Sequence, residues 1–482
     1  MSAWKLRPTL LTAMSTVLVA GAVGCTANSA PVPASPAAVT RPRPPACAVT
    51  TAPVLVTQTT VNTIEQAYYC VFANYYGGPG LDDRVLLAGA FTGFTQVLDR
   101  LGLDRADATM PALTGNRDRD WNAFAAVYQK VISQVPATPA QQQALAAATL
   151  TGMTASLDDN HAWWAYQPQP PGYRAGDVYG LGITTSPGDE LAIAAPQEAL
   201  PPLFVATVAP GSPAARHKIR PGDYIVSVNG ARPFADGVVS GGVMNLLFAP
   251  YPQAGLVSLR LLRPGARHTR TVTLTPALYP AQAPAVSAEL LRGDIAYVHL
   301  PAFFPGAADQ VRLATAHLAA RAALRGLVLD LRGNSGGAPA EVASLLGSFV
   351  HGAAWSYDCD AHGRCTPNDT DSRAPLLHLP LVVLTDRNCV SACDAFSGAV
   401  KDLRLGTLVG ARTAGIVSGP AAGYLLDDGS VLGLPAKHEL SAHHELINGI
   451  GVAPDYYIPL TAQDLSTGHD PDITKALTLL GG

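Results

Sequence analysis

The amino-acid sequence predicts a multidomain α/β protein with a helical N-terminal domain, a small β domain and a C-terminal α/β core. Its 482 residues, 48% of them hydrophobic and only 14% charged, suffice to bury several separate cores. Apolar residues recur at three- and four-residue spacing in the first third of the chain. Short strands with turn signals follow, and strands alternate with helical stretches in the last third.

Changes in composition predict the domain boundaries. We expect an export signal at 1–24, a tether at 25–50, a helical domain at 51–165, a β domain at 178–276, an α/β core at 287–462 and a C-terminal tail at 463–482. The tether is rich in Ala, Pro, Ser and Thr and has too few large apolar side chains to order itself. The net charge of −4 provides no electrostatic footprint for nucleic acid, which is excluded as a partner.

The N-terminus has the features of an export signal. Lys5 and Arg7 precede an apolar stretch over 10–23, which is shorter than the roughly 20 residues that a membrane span needs. The small residues before Cys25 resemble the lipobox of bacterial lipoproteins, in which this cysteine is acylated. The resemblance implies a lipid anchor on the outer side of the cell membrane. A plain secretory signal followed by an incidental cysteine is the alternative.

The other six cysteines are predicted to form disulfides. An even number in an exported chain is typical of disulfides, although six cysteines allow about 15 connectivities. Proximity in the sequence alone suggests the pairs Cys47–Cys70, Cys359–Cys365 and Cys389–Cys393. No Cys-x-x-Cys pair faces a second one, so a metal site is not predicted.

Periodicity predicts the individual elements of the helical domain and of the core. Helical spacing is found over 82–103 and 120–135 of the first domain and over 307–323, 340–350 and 391–403 of the core. Apolar strands are predicted at 295–300, 327–331, 379–385 and 407–410, and this alternation indicates a partly parallel sheet. Residues 424–426 and 431–434 flank a turn and are typical of a hairpin.

Two stretches of the middle domain resemble a PDZ domain. Gly180, Leu181, Gly182 and Ile183 match the loop that binds a terminal carboxylate, and residues 209–230 match the middle of the domain. Such a turn can present unpaired N–H groups to a peptide C-terminus, and an exposed strand edge can accept the peptide as an extra strand. The alternative is a PDZ-like domain that packs as a structural lid and binds no peptide.

Two stretches of the core resemble the C-terminal processing (tail-specific) serine peptidases and their relative, the tricorn core protease. Residues 327–337 form an apolar strand that breaks into a glycine-rich turn, and a second strand ends in residues 386–394, which contain Ser391. The resemblance implies an α/β protease core of the C-terminal processing peptidase type with Ser391 as nucleophile. It also implies an oxyanion hole built from the N–H of Ala392 and one from Gly336 or Gly337. The alternative role of Ser391 is an N-cap.

The base is predicted to be a histidine. Tail-specific proteases pair the serine with a lysine 25 positions later, where this chain has Ile416. The tricorn-like branch takes a histidine from the segment before its PDZ domain, and His161 within residues 158–163 matches that description. A neutral imidazole suits proton transfer near neutral pH. A structural or exposed histidine is the alternative.

The third catalytic residue has two candidates in the sequence. Residues 448–455 resemble the Gly-Val-x-Pro-Asp ending of the family, in which the tricorn branch carries a glutamate where this chain has Asn448. Glu445, three residues earlier, is a carboxylate that could replace it, and Asn448 itself could orient the imidazole as an amide. A surface role for Glu445 and a turn role for Asn448 are equally open.

The predicted function is an exported serine peptidase that cleaves polypeptides, with PDZ-assisted binding of the substrate, for which the C-terminus of the substrate is the candidate contact. No metal or organic cofactor is implied. The alternative is a catalytically inactive, PDZ-containing, peptide-binding lipoprotein whose core lost its base with the lysine. Hydrolysis of a non-peptide ester needs the same serine and histidine, and the sequence does not separate it from peptide hydrolysis.

Overall fold

A computed structural model describes residues 48–49, 55–186, 200–252, 254–281, 285–419 and 421–482. Cys25, the predicted lipidation site, and Cys47, a predicted disulfide partner, lie outside these residues. Within the described ranges, no helix combines the length and hydrophobicity that a membrane span requires.

The N-terminal region is helical, as predicted. Its elements are β1 (Ala48–Val49), α1 (Val61–Asn74), α2 (Asp83–Arg100), α3 (Arg117–Gln134), α4 (Pro139–Ala155) and β2 (Trp163–Ala165). Side chains of Thr60, Asp82, Asn116 and Thr138 accept hydrogen bonds from N–H groups of the first turns and so fix where the four helices begin. The helices share an apolar core that includes Tyr68, Phe94 and Phe124.

The middle region is built from short strands around a separate apolar core. Its elements are β3 (Asp177–Gly180), β4 (Ile183–Thr185), β5 (Val205–Val208), α5 (Pro213–Arg216), β6 (Tyr224–Val228), β7 (Phe234–Ala235), β8 (Val238–Val239), α6 (Gly241–Leu247), β9 (Val257–Leu262), β10 (Arg270–Leu274) and β11 (Ala277–Pro280). Strands β10, β9 and β6 form an antiparallel sheet, and β4 pairs with β5.

The C-terminal region is the predicted α/β core. Its elements are β12 (Ser287–Leu291), β13 (Ile295–His299), α7 (Ala307–Ala319), β14 (Gly326–Asp330), α8 (Pro339–Leu346), β15 (Ala354–Cys359), β16 (Cys365–Asp369), β17 (Leu381–Thr385), α9 (Ala392–Asp402), β18 (Gly406–Gly410), β19 (Ala421–Leu425), β20 (Val431–Pro435), β21 (His438–Ser441), β22 (Tyr456–Tyr457), α10 (Ala462–Thr467) and α11 (Pro471–Leu479).

The main sheet has the order β12-β13-β14-β17-β18-β22, with β12 antiparallel and the other strands parallel. Strands β14 and β17 are buried along their whole length and lie side by side, with Asp330 opposite Leu384. Their carboxyl ends therefore deliver the two loops that follow them to the same edge of the sheet, which is where α/β folds place their chemistry.

Two smaller sheets flank this edge. The predicted hairpin β19–β20 pairs with β1 and β2, so that strands from the core extend over the helical region. The second sheet, β16-β15-β21, was not predicted, because its strands at 354–359 and 438–441 are separated by about 80 residues of other elements. Ala421 of the first sheet and Trp355 and Glu439 of the second line the cavity that contains Ser391.

Two of the predicted disulfides are present in the structure, Cys359–Cys365 and Cys389–Cys393. Cys70 is also disulfide-bonded, and its predicted partner lies outside the described residues. Residues 463–482, predicted as a tail, include α11, which packs against the main sheet. Arg332, at the end of β14, forms ion pairs with Asp330 and with Asp470 and Asp472 of this segment, so the last helix is tied to the strand end.

Candidate active site

Ser391 lies at the turn between β17 and α9, directly before the first residue of the helix. Its backbone has a φ of 58° and a ψ of −119°, a conformation that costs a non-glycine residue about 1–3 kcal/mol. Such strain persists only where the surroundings hold the residue. Here the N–H of Ser391 donates to the Asp394 carboxylate, with a distance of 2.9 Å, and also to the carbonyl of Ile416 at 2.9 Å.

His161 reaches this serine from the loop between α4 and β2. Its Nε2 lies 3.4 Å from the Oγ of Ser391, although the two residues are 230 positions apart in the chain. In unliganded sites the hydrogen bond between base and nucleophile is often this long and shortens when substrate binds. The serine and histidine that the sequence proposed as partners are therefore brought together by the fold.

Burial lowers the pKa of the His161 imidazole below its ordinary value, although the nearby Asp159 carboxylate opposes the shift. Burial acts in this direction because a low-dielectric environment disfavours the charged imidazolium. The ring is consequently neutral at pH 7 and able to accept a proton.

Asn160 and Asp159 hold the histidine, and the sequence reasoning assigned neither a role. The Oδ1 of Asn160 lies 3.3 Å from Nδ1 of His161, while its Nδ2 donates to the carbonyl of Gly415. Because an amide oxygen only accepts, this orientation places the ring proton on Nδ1 and leaves Nε2 free to accept from the serine. The only signal for both residues was their position next to His161.

Asp159 connects the His161 loop to helix α1 and to the segment that contains Ser418. Its carboxylate accepts hydrogen bonds from the N–H of His161, from the hydroxyl of Tyr75 in α1 and from the hydroxyl of Ser418. The loop that carries the base is thus anchored to both the helical region and the core.

The structure does not bring Glu445 or Asn448 to the imidazole. Glu445 is exposed, and its backbone N–H donates to the hydroxyl of Ser441. Asn448 uses its Oδ1 to accept from the N–H of Val417. Among the described residues neither side chain forms a hydrogen bond with His161, whose ring contacts Asn160 and Ser391, so the structure adds no support to either as the third catalytic residue.

Ile416 occupies the position at which tail-specific proteases have a lysine, and its backbone forms hydrogen bonds that hold the turn at Ser391. Its N–H and that of Gly415 donate to the buried carboxylate of Asp394, and its carbonyl accepts from Ser391. Burial raises the pKa of Asp394 to about 6, although these N–H donors act in the opposite direction. Asp394 thereby ties the loop at 415–416 to the first turn of α9 and holds the backbone of Ser391.

The structure distinguishes between Gly336 and Gly337 as the second N–H donor of the predicted oxyanion hole. The N–H of Gly336 donates to the side chain of Asn334, at 2.9 Å, and is therefore not free for an oxyanion. Among the described residues no acceptor is found for the N–H groups of Gly337 and Ala392, which both line the cavity that contains Ser391. The Gly336 alternative is corrected, and Gly337 with Ala392 remain as donors.

Gly336 acts through its lack of a side chain. Its φ is +81°, and a Cβ placed on it would lie 2.7 Å from the Cβ of Ser391 and 2.8 Å from the carbonyl oxygen of Val390. Only glycine permits the turn after β14 to approach the nucleophile so closely. The Cys389–Cys393 disulfide spans the turn that carries Ser391, since its two residues flank Ser391 in sequence.

The cavity beside Ser391 and His161 has a volume of about 230 Å³. No group of three or more His, Cys, Asp or Glu side chains within the described ranges is arranged to hold a metal ion, and the histidines at 438, 443 and 444 do not form one. The arrangement of nucleophile, neutral base and two unpaired N–H groups is sufficient for acyl transfer through a serine.

In the PDZ-like region, the predicted carboxylate-binding loop lies between β3 and β4. The carbonyls of Leu181 and Gly182 accept from Ala214 and Ala209, whereas Gly180 and Ile183 belong to the paired strands β3 and β4. The N–H groups of Leu181 and Gly182 have no acceptor in the part of the chain that the structure describes. The loop therefore presents two donors in sequence.

Comparisons with known proteins agree with this architecture. Residues 294–458 match peptidase family S41, and residues 204–235 match a PDZ domain. The chain is 30% identical over 265 residues to the carboxyl-terminal-processing peptidase 2, chloroplastic, of Arabidopsis thaliana, covering 53% of this chain and 50% of that protein. It is 31% identical over 195 residues to the tricorn protease of Thermoplasma acidophilum, covering 40% of this chain and 17% of that protein.

The chain thus spans about half the length of the chloroplast relative. The fold is similar to that of the photosystem II D1 C-terminal processing protease, with a TM-score of 0.52, 23% identity, and coverage of 88% of this chain and 98% of that structure. Residues 294–458 thus match peptidase family S41, residues 204–235 match a PDZ domain, and the fold is that of a C-terminal processing protease.

Proposed function

We propose that this chain is an exported serine peptidase that cleaves polypeptides with Ser391 as nucleophile and His161 as general base. The observation that carries the proposal is the 3.4 Å distance between Nε2 of His161 and Oγ of Ser391. The alternative of an inactive scaffold required the serine to lie far from any base, and this contact speaks against it.

In the proposed mechanism, Ser391 Oγ attacks the carbonyl carbon of the scissile peptide bond while Nε2 of His161 takes its proton. The N–H groups of Gly337 and Ala392 stabilise the negative charge that develops on the carbonyl oxygen. Loss of one such donor typically costs about 3 kcal/mol of transition-state stabilisation. The tetrahedral intermediate collapses as His161 returns the proton to the leaving amine, and water then hydrolyses the acyl-enzyme with the same histidine as base.

The remaining features extend the proposal to substrate binding and location. The two unpaired donors at Leu181 and Gly182 suit the terminal carboxylate of a polypeptide substrate, which would direct the chain toward the core. The export signal and Cys25 support a lipid anchor on the outer side of a bacterial membrane, with secretion as the alternative. The disulfides suit an oxidising compartment.

A fluorophosphonate probe tests the proposed nucleophile, because it reacts only with an activated serine. We expect the purified full chain to be labelled once per molecule and the Ser391→Ala variant to remain unlabelled. Mass spectrometry of a digest should locate the adduct on Ser391. A folded wild type that resists the probe and cleaves no peptide would favour the peptide-binding lipoprotein, and turnover of esters alone would favour the esterase alternative.

The pH dependence of cleavage is expected to follow the base. Because burial lowers the pKa of His161 from its ordinary value, the imidazole stays neutral and active at pH 7. The value of kcat/KM should therefore fall only in the acidic range, below the pH at which an exposed histidine titrates. We would measure kcat/KM for an uncharged peptide from pH 4.5 to 8, with melting temperatures at each pH. A half-maximal rate above pH 7 in folded protein would contradict the assignment.

A further inference from the structure

The cavity next to Ser391 is lined by both apolar and polar side chains. The apolar ones include Val342 from α8, Ala395 from α9 and Val417. Trp355 from β15 and Glu439 from β21 line it as well. A volume of about 230 Å³ is below the roughly 300–1,000 Å³ of pockets that take drug-sized ligands, and it suits a single long side chain.

Glu439 lines this cavity and has no cationic partner among the described residues. Its strand pairs with β15 so that Glu439 lies directly opposite Asp358. Burial, and secondarily the charge of Asp358, raises the pKa of Glu439 to about 7, while the Ser356 hydroxyl acts against the shift. Lys437 lies 3.7 Å from Asp358, and in the described part of the chain no Lys or Arg forms an ion pair with Glu439.

Trp355 lines the cavity with its ring, and its indole Nε1 is buried without a hydrogen-bond acceptor in the described structure. The observation that points to the occupant is therefore Glu439, a carboxyl group on the lining without a cationic partner among the described residues. Burying such a group is costly unless it is paired, which favours an occupant with a polar end over a purely apolar one.

We propose that this cavity receives the substrate side chain that precedes the scissile bond, and that Glu439 selects a basic side chain there. This inference rests on the proposed function, since it takes Ser391 as the attacking group. The apolar walls suit the methylene stem of lysine or arginine, and the carboxylate pairs with the cationic head. A bound cation also stabilises the ionised form of Glu439, which burial and the charge of Asp358 disfavour.

The test uses two peptides that differ at one position, with lysine or norleucine before the scissile bond. Norleucine keeps the four-carbon stem and lacks the ammonium. We expect wild type to prefer the lysine peptide by about tenfold or more in kcat/KM, and Glu439→Gln to lower this ratio by about tenfold. The matched control, Glu289→Gln, removes an exposed carboxylate from β12 and should leave the ratio unchanged.

Binding to a Ser391→Ala background separates this inference from the proposed function. Calorimetry with the same two peptides requires no turnover. A preference for lysine that disappears in Ser391→Ala/Glu439→Gln supports the selector role even if wild type hydrolyses neither peptide, in which case the peptidase proposal alone fails. Equal lysine-to-norleucine ratios with and without Glu439, in both cleavage and binding, would overturn the inference.

Discussion

Replacing His161 with alanine is expected to lower kcat/KM for peptide cleavage by a factor of about 10²–10⁴, the usual contribution of a general base. The imidazole is the group found within hydrogen-bond reach of the Ser391 hydroxyl in the described structure. Without it the hydroxyl retains its proton and attacks slowly. The readouts are kcat/KM for a fluorogenic peptide and the rate of fluorophosphonate labelling, both of which should fall together.

The control for this variant is His362→Ala, which removes an exposed histidine from the turn between β15 and β16. Its rate should match that of wild type. Both variants should melt near the wild-type temperature, because the His161 ring contacts mainly Ser391 and Asn160 through hydrogen bonds. Retention of full activity by folded His161→Ala would show that another group activates Ser391.

Replacing Gly336 with alanine is expected to lower kcat/KM by about 100-fold or more. The added Cβ would lie 2.7 Å from the Cβ of Ser391, so the turn or the nucleophile must move. A displacement of about 1 Å at a reacting group can cost about 10² in rate. The unfolding free energy should also fall by about 1–2 kcal/mol, because alanine disfavours the positive φ at this position.

Gly333→Ala is the matched control from the same turn. Gly333 has a φ of +74°, close to that of Gly336, but a Cβ placed on it meets nothing within 4 Å. Both variants should therefore lose the stability that a positive φ costs, Gly336→Ala should lose more because of its close contacts, and only Gly336→Ala should lose most of its activity. Equal activity losses would mean that backbone strain in the turn, and not contact with Ser391, controls the rate.

The architecture was largely predictable because it depends on local patterns. The strands at 295–300, 327–331, 379–385 and 407–410 are continuous apolar stretches separated by helical spacing, and each is a strand of the main sheet. The three-stranded sheet that carries Trp355 and Glu439 was missed, because the pairing of β15 with β21 joins segments about 80 residues apart. No local pattern indicates such a partner.

The sequence by itself determined the fold class, the helical and PDZ-like regions, and the strand and turn that carry Ser391. The resemblance proposed His161 as the partner of that serine, but only the tertiary structure gives the 3.4 Å distance between them, and only it gives Asn160, and not Glu445 or Asn448, as the residue in contact with the histidine ring. It also shows that the N–H of Gly336 donates to the side chain of Asn334, whereas the N–H of Gly337 has no acceptor among the described residues. The physical reason is the same in each case. Secondary structure follows from the spacing of neighbouring residues. A hydrogen bond between distant residues depends instead on how several packed elements position two atoms to within a few tenths of an ångström.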